Sequence, residues 1–584
     1  MERIYNETLN LDKLNEEVTL YGWVQKKRNL GGLIFIDLRD RSGIVQLRVK
    51  PENKNYNLAE SLKNEYVIKV EGIVVERESK NSKLKTGDIE IEVSELEVLN
   101  TCEELPFTID DNTNALEDTR LKYRYLDIRR NKLKENLFLR NEVLHYIRNK
   151  MYDLGFIEVQ TPILTASSPE GARDFVVPSR NFKGKFYALP QAPQIYKELL
   201  MVGGFEKYFQ IAPCFRDEDP RADRTLEFYQ LDLEMSFCSE EDVLNIGEEI
   251  FYDTFSKFSN KHVSPRPFRR ISYLDAIDLY GTDKPDLRYE MLINDITDIF
   301  TNSEFTVFKN VILDGGIINA IVANNAADKY SRKEIDKLTE VVKKRGASGL
   351  AYLKIDDEIT GSIAKYITEE EVNNLKGKLK LQNNDLVFIV SGPKKQVKAA
   401  LGALRIEVAN FLDIIPKDRL ELCIVNDFPM FEYDDVNKKW DFCHNPFSLP
   451  HDGIDAYKNK NYEDILAYQY DFVCNGNEMA SGAIRNHDLD SLAKGFEIVG
   501  YSRDEVENRF RSIFTAFKYG CPPHGGMAPG IDRILMLIQD EPNLREVQAF
   551  PPSASGQDLM MGAPSDLTPV QLEELGIVIK KGNE

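Results

Sequence analysis

Cysteine is scarce in this chain: seven in 584 residues, an odd number and with no C-x-x-C pair. That excludes a disulfide framework and suits a reducing compartment. Cys443-His444 has no partner cluster near it in the sequence, so no zinc site is expected. No run of about 18 apolar residues occurs, which argues against a membrane span. Met1 to Asn10 has neither the basic start nor the apolar core of a secretion signal, so the expected location is the cytoplasm. Positive charge is in deficit, with 75 Lys and Arg against 96 Asp and Glu and a net charge of -21. A nonspecific nucleic-acid binder driven by counter-ion release is thereby disfavoured, although a local contact surface is not. What is present, 42% hydrophobic and 29% charged residues, describes an ordinary globular protein, and 584 residues are too many for one core.

The chain is organised around Tyr208 to Phe237, which reads as a β-hairpin. Phe209, Ile211, Tyr229, Leu231, Leu233 and Met235 fall on one face by strict alternation; Gln210, Arg216, Gln230, Asp232 and Glu234 fall on the other. This second face mixes donors and acceptors in a way that suits a polar ligand, and on pattern alone it equally suits a salt-bridged outer surface.

Upstream, Glu17–Val24, Leu33–Arg39, Gly43–Val49, Tyr66–Val75 and Asp88–Val93 read as five strands, the count of an OB barrel. Ile34, Ile36, Leu38, Val45 and Leu47 would point inward, leaving Phe35, Asp37, Gln46 and Arg48 outside, with Lys26-Lys27-Arg28 as a basic entry. An exposed aromatic beside an amide and a guanidinium suits an unpaired base. Residues 133 to 154 carry Leu133, Leu137, Leu144, Ile147, Met151 and Leu154 at helical spacing, with Gly155 as a stop, and an apolar strand is expected in FIEVQTPIL. Asn475-Gly476 fits a two-residue type I′ turn; it sets Val473 opposite Glu478 and places Asp471 and Glu478 on one face, a pair that calls for a cation such as magnesium.

Phe215-Arg216-Asp217-Glu218-Asp219 with Arg221-Ala222-Asp223-Arg224 and Glu227-Phe228 resembles motif two of the class II aminoacyl-tRNA synthetases in their bacterial aspartyl form. The helix and strand around residues 133 to 164 resemble motif one, and Gly525-Gly526-Met527-Ala528-Pro529-Gly530-Ile531-Asp532-Arg533 resembles motif three. The resemblance implies an α+β multidomain protein: an OB-fold anticodon-binding domain (1–105), a hinge (106–132), a catalytic half (133–284), an inserted α+β domain (285–412) and a second catalytic half with a C-terminal extension (413–584). GASGLAYLK at 346–354 and Gly402-Ala403-Leu404-Arg405 match the recurring elements of that insertion.

It also implies roles. Aspartate would be held by Glu170, Gln194, Lys197, Arg216, His444 and Arg485; ATP by Arg216, Asp217, Glu218, Thr225, Glu478, Gly530, Ile531, Asp532 and Arg533. Arg216, Glu478 and Arg533 would be catalytic, and Asp471 with Glu478 would hold Mg2+. Arg28, Leu30, Phe35, Gln46 and Glu90 would meet the anticodon. Implied partners are L-aspartate, ATP, tRNA(Asp) and a second copy of the chain. Leu30 is implied to favour a single tRNA, with charging of tRNA(Asn) as the alternative. Lys197 and Arg485, left unpaired by a neutral amide, would favour aspartate over asparagine. Three departures are visible: Thr225-Leu226 stands where bacterial relatives carry Gln-Pro, Ala480 to Ala483 lacks the usual glycines, and strict alternation puts Arg485 on the face opposite Glu478 unless the strand bends near Gly482. Rival readings are an asparagine-forming paralogue, which would lack the barrel, and a catalytically inactive tRNA-binding protein.

Overall fold

The computed structural model describes residues 3–167, 171–434, 436–458 and 461–580. It divides into two compact units, Met1–Thr119 and Arg120–Glu584.

The first unit is a closed five-stranded barrel: β1 (Glu17–Leu30), β2 (Leu33–Arg39), β3 (Ile44–Val49), β4 (Val67–Glu76) and β5 (Ile89–Asn100), in the order β1-β2-β3-β5-β4. Two strands run further than their alternation suggests, β1 to Leu30 and β5 to Asn100. The extensions are hairpin arms that run past the closed part of the barrel: beyond Val24 the first strand pairs only with β2, and beyond Glu92 the last pairs only with β4. Ile34, Ile36, Leu38, Val45 and Leu47 are fully buried inside, as the alternation requires.

The second unit is built on an eight-stranded sheet. Its strands are β6 (Ile157–Glu158), β7 (Lys207–Phe215), β8 (Glu227–Ser236), β9 (Arg269–Ser272), β10 (Leu422–Pro429), β11 (Leu466–Cys474), β12 (Asn477–Ile484) and β13 (His524–Pro529), in the order β9-β10-β11-β12-β13-β8-β7-β6. All neighbours are antiparallel except at the two edges, β6 with β7 and β9 with β10. The hairpin is β7 with β8, paired from Glu227↔Phe215 to Met235↔Lys207. Its apolar face, including Phe209, Leu231, Leu233 and Met235, joins a core with Phe251 and Phe255 of one covering helix and Ile534 and Leu535 of another. The polar face opens into a cleft.

Five helices matter for the site: α1 (Asn131–Asp153), α2 (Gln194–Val202), α3 (Glu240–Phe258), α4 (Tyr273–Tyr280) and, in the insertion, α5 (Lys394–Phe411). A sixth, α6 (Ile531–Gln539), follows β13 directly. Gly155 ends α1 with φ of 79°, which a glycine adopts without strain. The expected strand in FIEVQTPIL is only the two residues of β6; Ile163 and Leu164 beyond it are 47% and 54% exposed. Pro162 and the β6 edge position limit the ladder, since proline has no N–H to donate.

The insertion carries its own five-stranded sheet, Asn294–Asp295, Ile317–Ala323, Asp385–Gly392, Ala351–Ile355 and Thr360–Gly361 in that spatial order. Gly402 and Arg405 lie where α5 meets the rest of the unit. A Cβ on Gly281, the left-handed cap of α4, would stand 2.7 Å from Gly402 backbone. Arg405 is buried, its Nε donating to the Met291 carbonyl at 2.7 Å and its guanidinium lying 5.0 Å from the Tyr280 and Tyr289 ring centres. Among the described residues no helix is long and apolar enough to cross a membrane.

Candidate active site

A cleft of about 290 Å³ opens over the polar face of the hairpin, between β8, β12 and the start of α6. Its floor is a buried set of charges. α2 turns Gln194, Lys197, Glu198 and Met201 inward, the i, i+3, i+4, i+7 stripe of one helical face. Lys197 Nζ donates to Asp232 Oδ1 at 2.7 Å and lies 3.3 Å from Glu234 Oε2. Arg485 clasps Glu234 through Nε at 2.9 Å and Nη2 at 3.2 Å. Burial alone would push the Glu234 carboxyl up, but the facing Arg485 and Lys197 win and hold it at about 2. Lys197 and Arg485 are both held above their ordinary values by these carboxylates, against the opposing effect of burial. Two polar atoms on this floor lack partners: Arg485 Nη1 and Asp232 Oδ2. Lys197 and Arg485 are therefore not the free cations expected from the sequence. Each is anchored by an acid, and the guanidinium keeps one donor for a ligand.

Below this floor Gln194 leads to two residues that carry no sequence expectation, Glu198 and His524. Gln194 Nε2 donates to Glu198 Oε1 at 2.6 Å, and Glu198 Oε2 lies 3.2 Å from His524 Nε2. Burial would lower the imidazole, but the Cys521 thiol and the Glu198 carboxylate raise it to about 10. The signal available was weak: an acid at i+1 from Lys197 and a histidine at the start of the glycine-rich strand.

The upper wall carries the remaining cations. Arg216 lies just beyond β7, its guanidinium 5.0 Å from the Phe228 ring centre and its Nε without a partner. Glu218 pairs with Arg224 at 3.2 Å, and Thr225 Oγ1 is spent on the Glu227 carbonyl at 2.5 Å. Asp217 does not line the cleft; its N–H donates to the Arg173 carbonyl at 3.0 Å. At the β13 to α6 turn, Gly530 is the N-cap and Arg533 in the first turn donates through Nη1 to the Glu478 carbonyl at 2.6 Å. Ile531 points into the core, leaving only its backbone to face a ligand. Asp532 is buried, held by Arg140, the Tyr229 N–H at 3.2 Å and Gln548 Nε2 at 3.0 Å. Glu170 lies outside the described residues.

The far wall is β11 and β12. Asn475 and Gly476 have φ of 51° and 79°, the two left-handed positions of a type I′ turn, and Val473 pairs with Glu478 as the turn predicts. The phase change needed to bring Arg485 round occurs at Met479 rather than near Gly482. Phe472 pairs with Ala480 and Val473 with Glu478, so Met479 is an unmatched residue, a β-bulge. Its carbonyl accepts from the Gly530 N–H at 2.8 Å. With that extra residue Glu478, Ser481 and Arg485 share the cleft face. His444 stacks on Phe428 with ring centres 5.1 Å apart, and its Nε2 lies 2.8 Å from Ser481 Oγ and 3.4 Å from Asp471 Oδ1. Burial opposes its protonation, yet Asp471 and Glu478 raise it to about 9. Asp471 is fully buried and neither carboxylate oxygen has a hydrogen-bond partner. Lys284, absent from the sequence reading, places Nζ 3.3 Å from Glu478 Oε2.

A buried acid-base floor under a cation-lined wall suits an amino acid below and a polyphosphate above. The model of the class II tRNA synthetases (D, K and N) matches residues 116–554, and that of the OB-fold nucleic acid binding domain matches 18–99. The chain belongs to the class II aminoacyl-tRNA synthetases. The synthetase is 49% identical over 581 residues to the aspartate--tRNA(Asp/Asn) ligase of Ehrlichia chaffeensis, covering 98% of each chain. It is 50% identical over 576 residues to the protein of that name from Orientia tsutsugamushi, covering 97% of this chain and 96% of the other. Among solved structures, the asparaginyl-tRNA synthetase of Pyrococcus horikoshii complexed with asparaginyl-adenylate superposes with a TM-score of 0.59 at 19% identity, covering 97% of this chain and 100% of that one. The aspartyl tRNA synthetase of Entamoeba histolytica gives 0.57 at 19% identity, covering 94% and 91%. These two likenesses concern the fold.

On the barrel, the synthetase arranges a ladder of polar side chains. Arg28 Nη2 donates to Asp37 at 2.6 Å and to Gln46 Oε1 at 3.3 Å; Gln46 Nε2 donates to Glu90 at 2.7 Å; Arg48 reaches Glu90 at 2.9 Å. Gln46 is buried rather than exposed, because Arg28 and Glu90 close over it. Phe35 is half-buried beside Arg28, its cross-strand partner, and Leu30 is 62% exposed. Lys27 is tied to the Glu60 and Leu62 carbonyls, so the expected basic entry loses one of its cations to the barrel itself.

Proposed function

We infer that the synthetase is an aspartate-tRNA ligase. It activates L-aspartate with ATP to aspartyl-adenylate and pyrophosphate, then passes the aspartyl group to the 3′-OH of the terminal adenosine of tRNA(Asp). The observation that carries this reading is the Lys197-Asp232-Glu234-Arg485 floor, with its spare donor on Arg485 and spare acceptor on Asp232. The side-chain carboxylate of aspartate meets Arg485 Nη1 and the nearby Lys197 charge. Asparagine would place an uncharged amide there and forfeit a buried charge pair, about 2 to 5 kcal/mol. Gln194 and His444 border the same space, and Glu170 is assigned the amino group by resemblance.

Activation brings an anionic carboxylate to the α-phosphorus of ATP. The nucleophile is already ionised, so no general base is needed and the task is electrostatic. Arg216, with an unspent Nε and a guanidinium held against Phe228, receives the charge that gathers on the phosphoryl oxygens. Glu218 faces the adenine amine and Arg533 the terminal phosphate, with the Gly530, Ile531 and Asp532 amides at the helix start aiding anion binding. Thr225, its hydroxyl already spent, contributes shape more than a hydrogen bond, and Asp217 acts through the backbone that sets Glu218. Asp471 and Glu478 fit a magnesium ion: two carboxylates share one face, and the Asp471 carboxylate makes no hydrogen bond, its nearest charge being His444 Nε2 at 3.4 Å. When bound, Mg2+ neutralises phosphate charge. Arg28, Leu30, Phe35, Gln46 and Glu90 form the anticodon surface, where Phe35 stacks on a base.

The enzyme works in the cytoplasm as a homodimer. Phe138, Ile157, Ile163 and Leu164, each 47% to 54% exposed, supply an apolar face on α1 and beyond β6 for the partner. Transfer to tRNA(Asn) as well is a second reading, favoured by the names of the relatives and opposed by Leu30.

Aspartate-dependent exchange of pyrophosphate into ATP tests the first step; exchange supported equally by asparagine or lysine would overturn the substrate assignment. Charging of purified tRNA(Asp) and tRNA(Asn) transcripts side by side separates the two specificities.

A further inference from the structure

Lys284 reaches the carboxylate pair from outside the cleft. Its Nζ lies 3.3 Å from Glu478 Oε2 and 2.6 Å from Asp283 Oδ2, and a third of the side chain is accessible. The loop that carries it is fixed at three points. At its start Gly281 presses on Gly402 of α5, too close for a side chain at either residue. At its end Arg288 forks onto Asp286 at 2.6 to 3.2 Å and donates to the Pro416 carbonyl at 3.4 Å. In the middle the loop lies against the turn joining β11 to β12, with Asp286 Cβ 3.5 Å from where a side chain on Gly476 would begin. That turn connects the two strands bearing Asp471 and Glu478. The seat of the inserted domain thus delivers one ammonium group to the pair from behind, while Arg533 stands 3.9 Å from the other Glu478 oxygen.

His444 faces Asp471 at 3.4 Å, and the second like charge on this sheet face, Glu478, needs its own counter-ion; a flexible lysine with another carboxylate within reach is an exchangeable one. We propose that Lys284 is the internal counter-ion of the Asp471-Glu478 pair in the nucleotide-free enzyme, opposing occupation by a lone divalent cation and withdrawing onto Asp283 when ATP brings the ion in. This rests on the reading of Asp471 and Glu478 as the metal-holding pair. It gives the insertion a task in the reaction, since α5 and Gly402 hold the loop that positions Lys284. Lys284 is a positioning residue: it acts on the metal carboxylates and does not line the cleft.

The test is binding of Mn2+ to the full-length enzyme, followed by the free-ion electron spin resonance signal, without nucleotide and with ATP. For Lys284→Met, Mn2+ affinity without nucleotide should rise about tenfold, the effect of removing one screened charge at close range. Lys284→Arg should stay near wild type. Asp283→Asn, which removes the second seat and leaves the ammonium to Glu478, should weaken nucleotide-free Mn2+ binding by several fold; a rise would overturn the proposal. Unchanged Mn2+ affinity in Lys284→Met, with a wild-type thermal melt, would also overturn it. If instead Asp471→Asn leaves Mn2+ binding intact both with and without ATP, the metal assignment of the pair fails, and the proposal with it.

Discussion

Arg485 and Glu234 stand 251 residues apart in the chain and meet as a buried fork, Nε to Oε1 at 2.9 Å and Nη2 to Oε2 at 3.2 Å. The pair leaves Arg485 Nη1 buried and without a hydrogen-bond partner, on a residue that lines the cleft. One side chain therefore does two things: it neutralises a strand residue at the bottom of the sheet and puts a cation in the cleft wall.

Replacing Arg485 by leucine should remove aspartate activation, with pyrophosphate exchange falling about 1000-fold or more, a loss of about 4 kcal/mol in transition-state binding. ATP binding, measured by equilibrium dialysis, should survive because Arg216 and Arg533 are untouched. The variant should also lose about 3 kcal/mol of stability, since Glu234 keeps only Lys197 as a neutralising partner. Normal exchange in this variant would take Arg485 out of the pocket.

Stability should fall on the alkaline side through His524. Its folded value of about 10 lies above the ordinary 6.5, so its contribution is complete below about pH 6.5 and is lost as the pH rises through about 10. Thermal melts of the wild type between pH 7 and 10 should drop, and His524→Gln should flatten that slope while lowering the melt at pH 7. Parallel slopes in the two proteins would mean that the imidazole is neutral in the folded state.

Phe35→Ala should weaken tRNA charging by about tenfold to a hundredfold in kcat/KM, the usual worth of one stacked base, and leave adenylate formation near normal. Equal loss of both activities would indicate a folding defect instead.

Glu478→Gln should raise the magnesium concentration for half-maximal exchange by about tenfold, since a neutral amide is a poorer ligand for a hard cation. A superimposable magnesium titration would exclude Glu478 from the metal.

Gly402→Val should destabilise the seam of the insertion by about 2 kcal/mol or more, because the new side chain meets the Gly281 backbone well inside contact distance. Denaturant unfolding with an early extra phase is the expected result; a wild-type curve would show that the seam can open without cost.

Much of this architecture was legible because period-two alternation leaves a strong trace. The barrel interior, the two faces of the β7-β8 hairpin and the Asn475-Gly476 turn all follow from it. What stayed hidden depended on contacts between distant segments. Glu198 and His524 are 326 residues apart, and neither shows from its neighbours that it will be buried against the other. Lys284 sits in a loop with no periodicity, and Gln46 obeys the alternation yet is buried because Arg28 and Glu90 fold over it. Lys197 and Arg485 are legible as candidate site cations and both line the cleft, but their acids Asp232 and Glu234 are legible only as members of a polar face.

The unmatched Met479 makes β12 a strand with two reading frames. Upstream of it, Glu478 answers to the phase set by the turn; downstream, Ser481, Ala483 and Arg485 answer to the opposite phase. Removing that one residue would leave composition, length of pairing and turn almost untouched, yet it would rotate Arg485 into the hydrocarbon side of the sheet and lift Ile484 into the substrate floor. Point substitutions along this strand test single contacts, whereas a one-residue deletion would invert the chemistry of its whole second half.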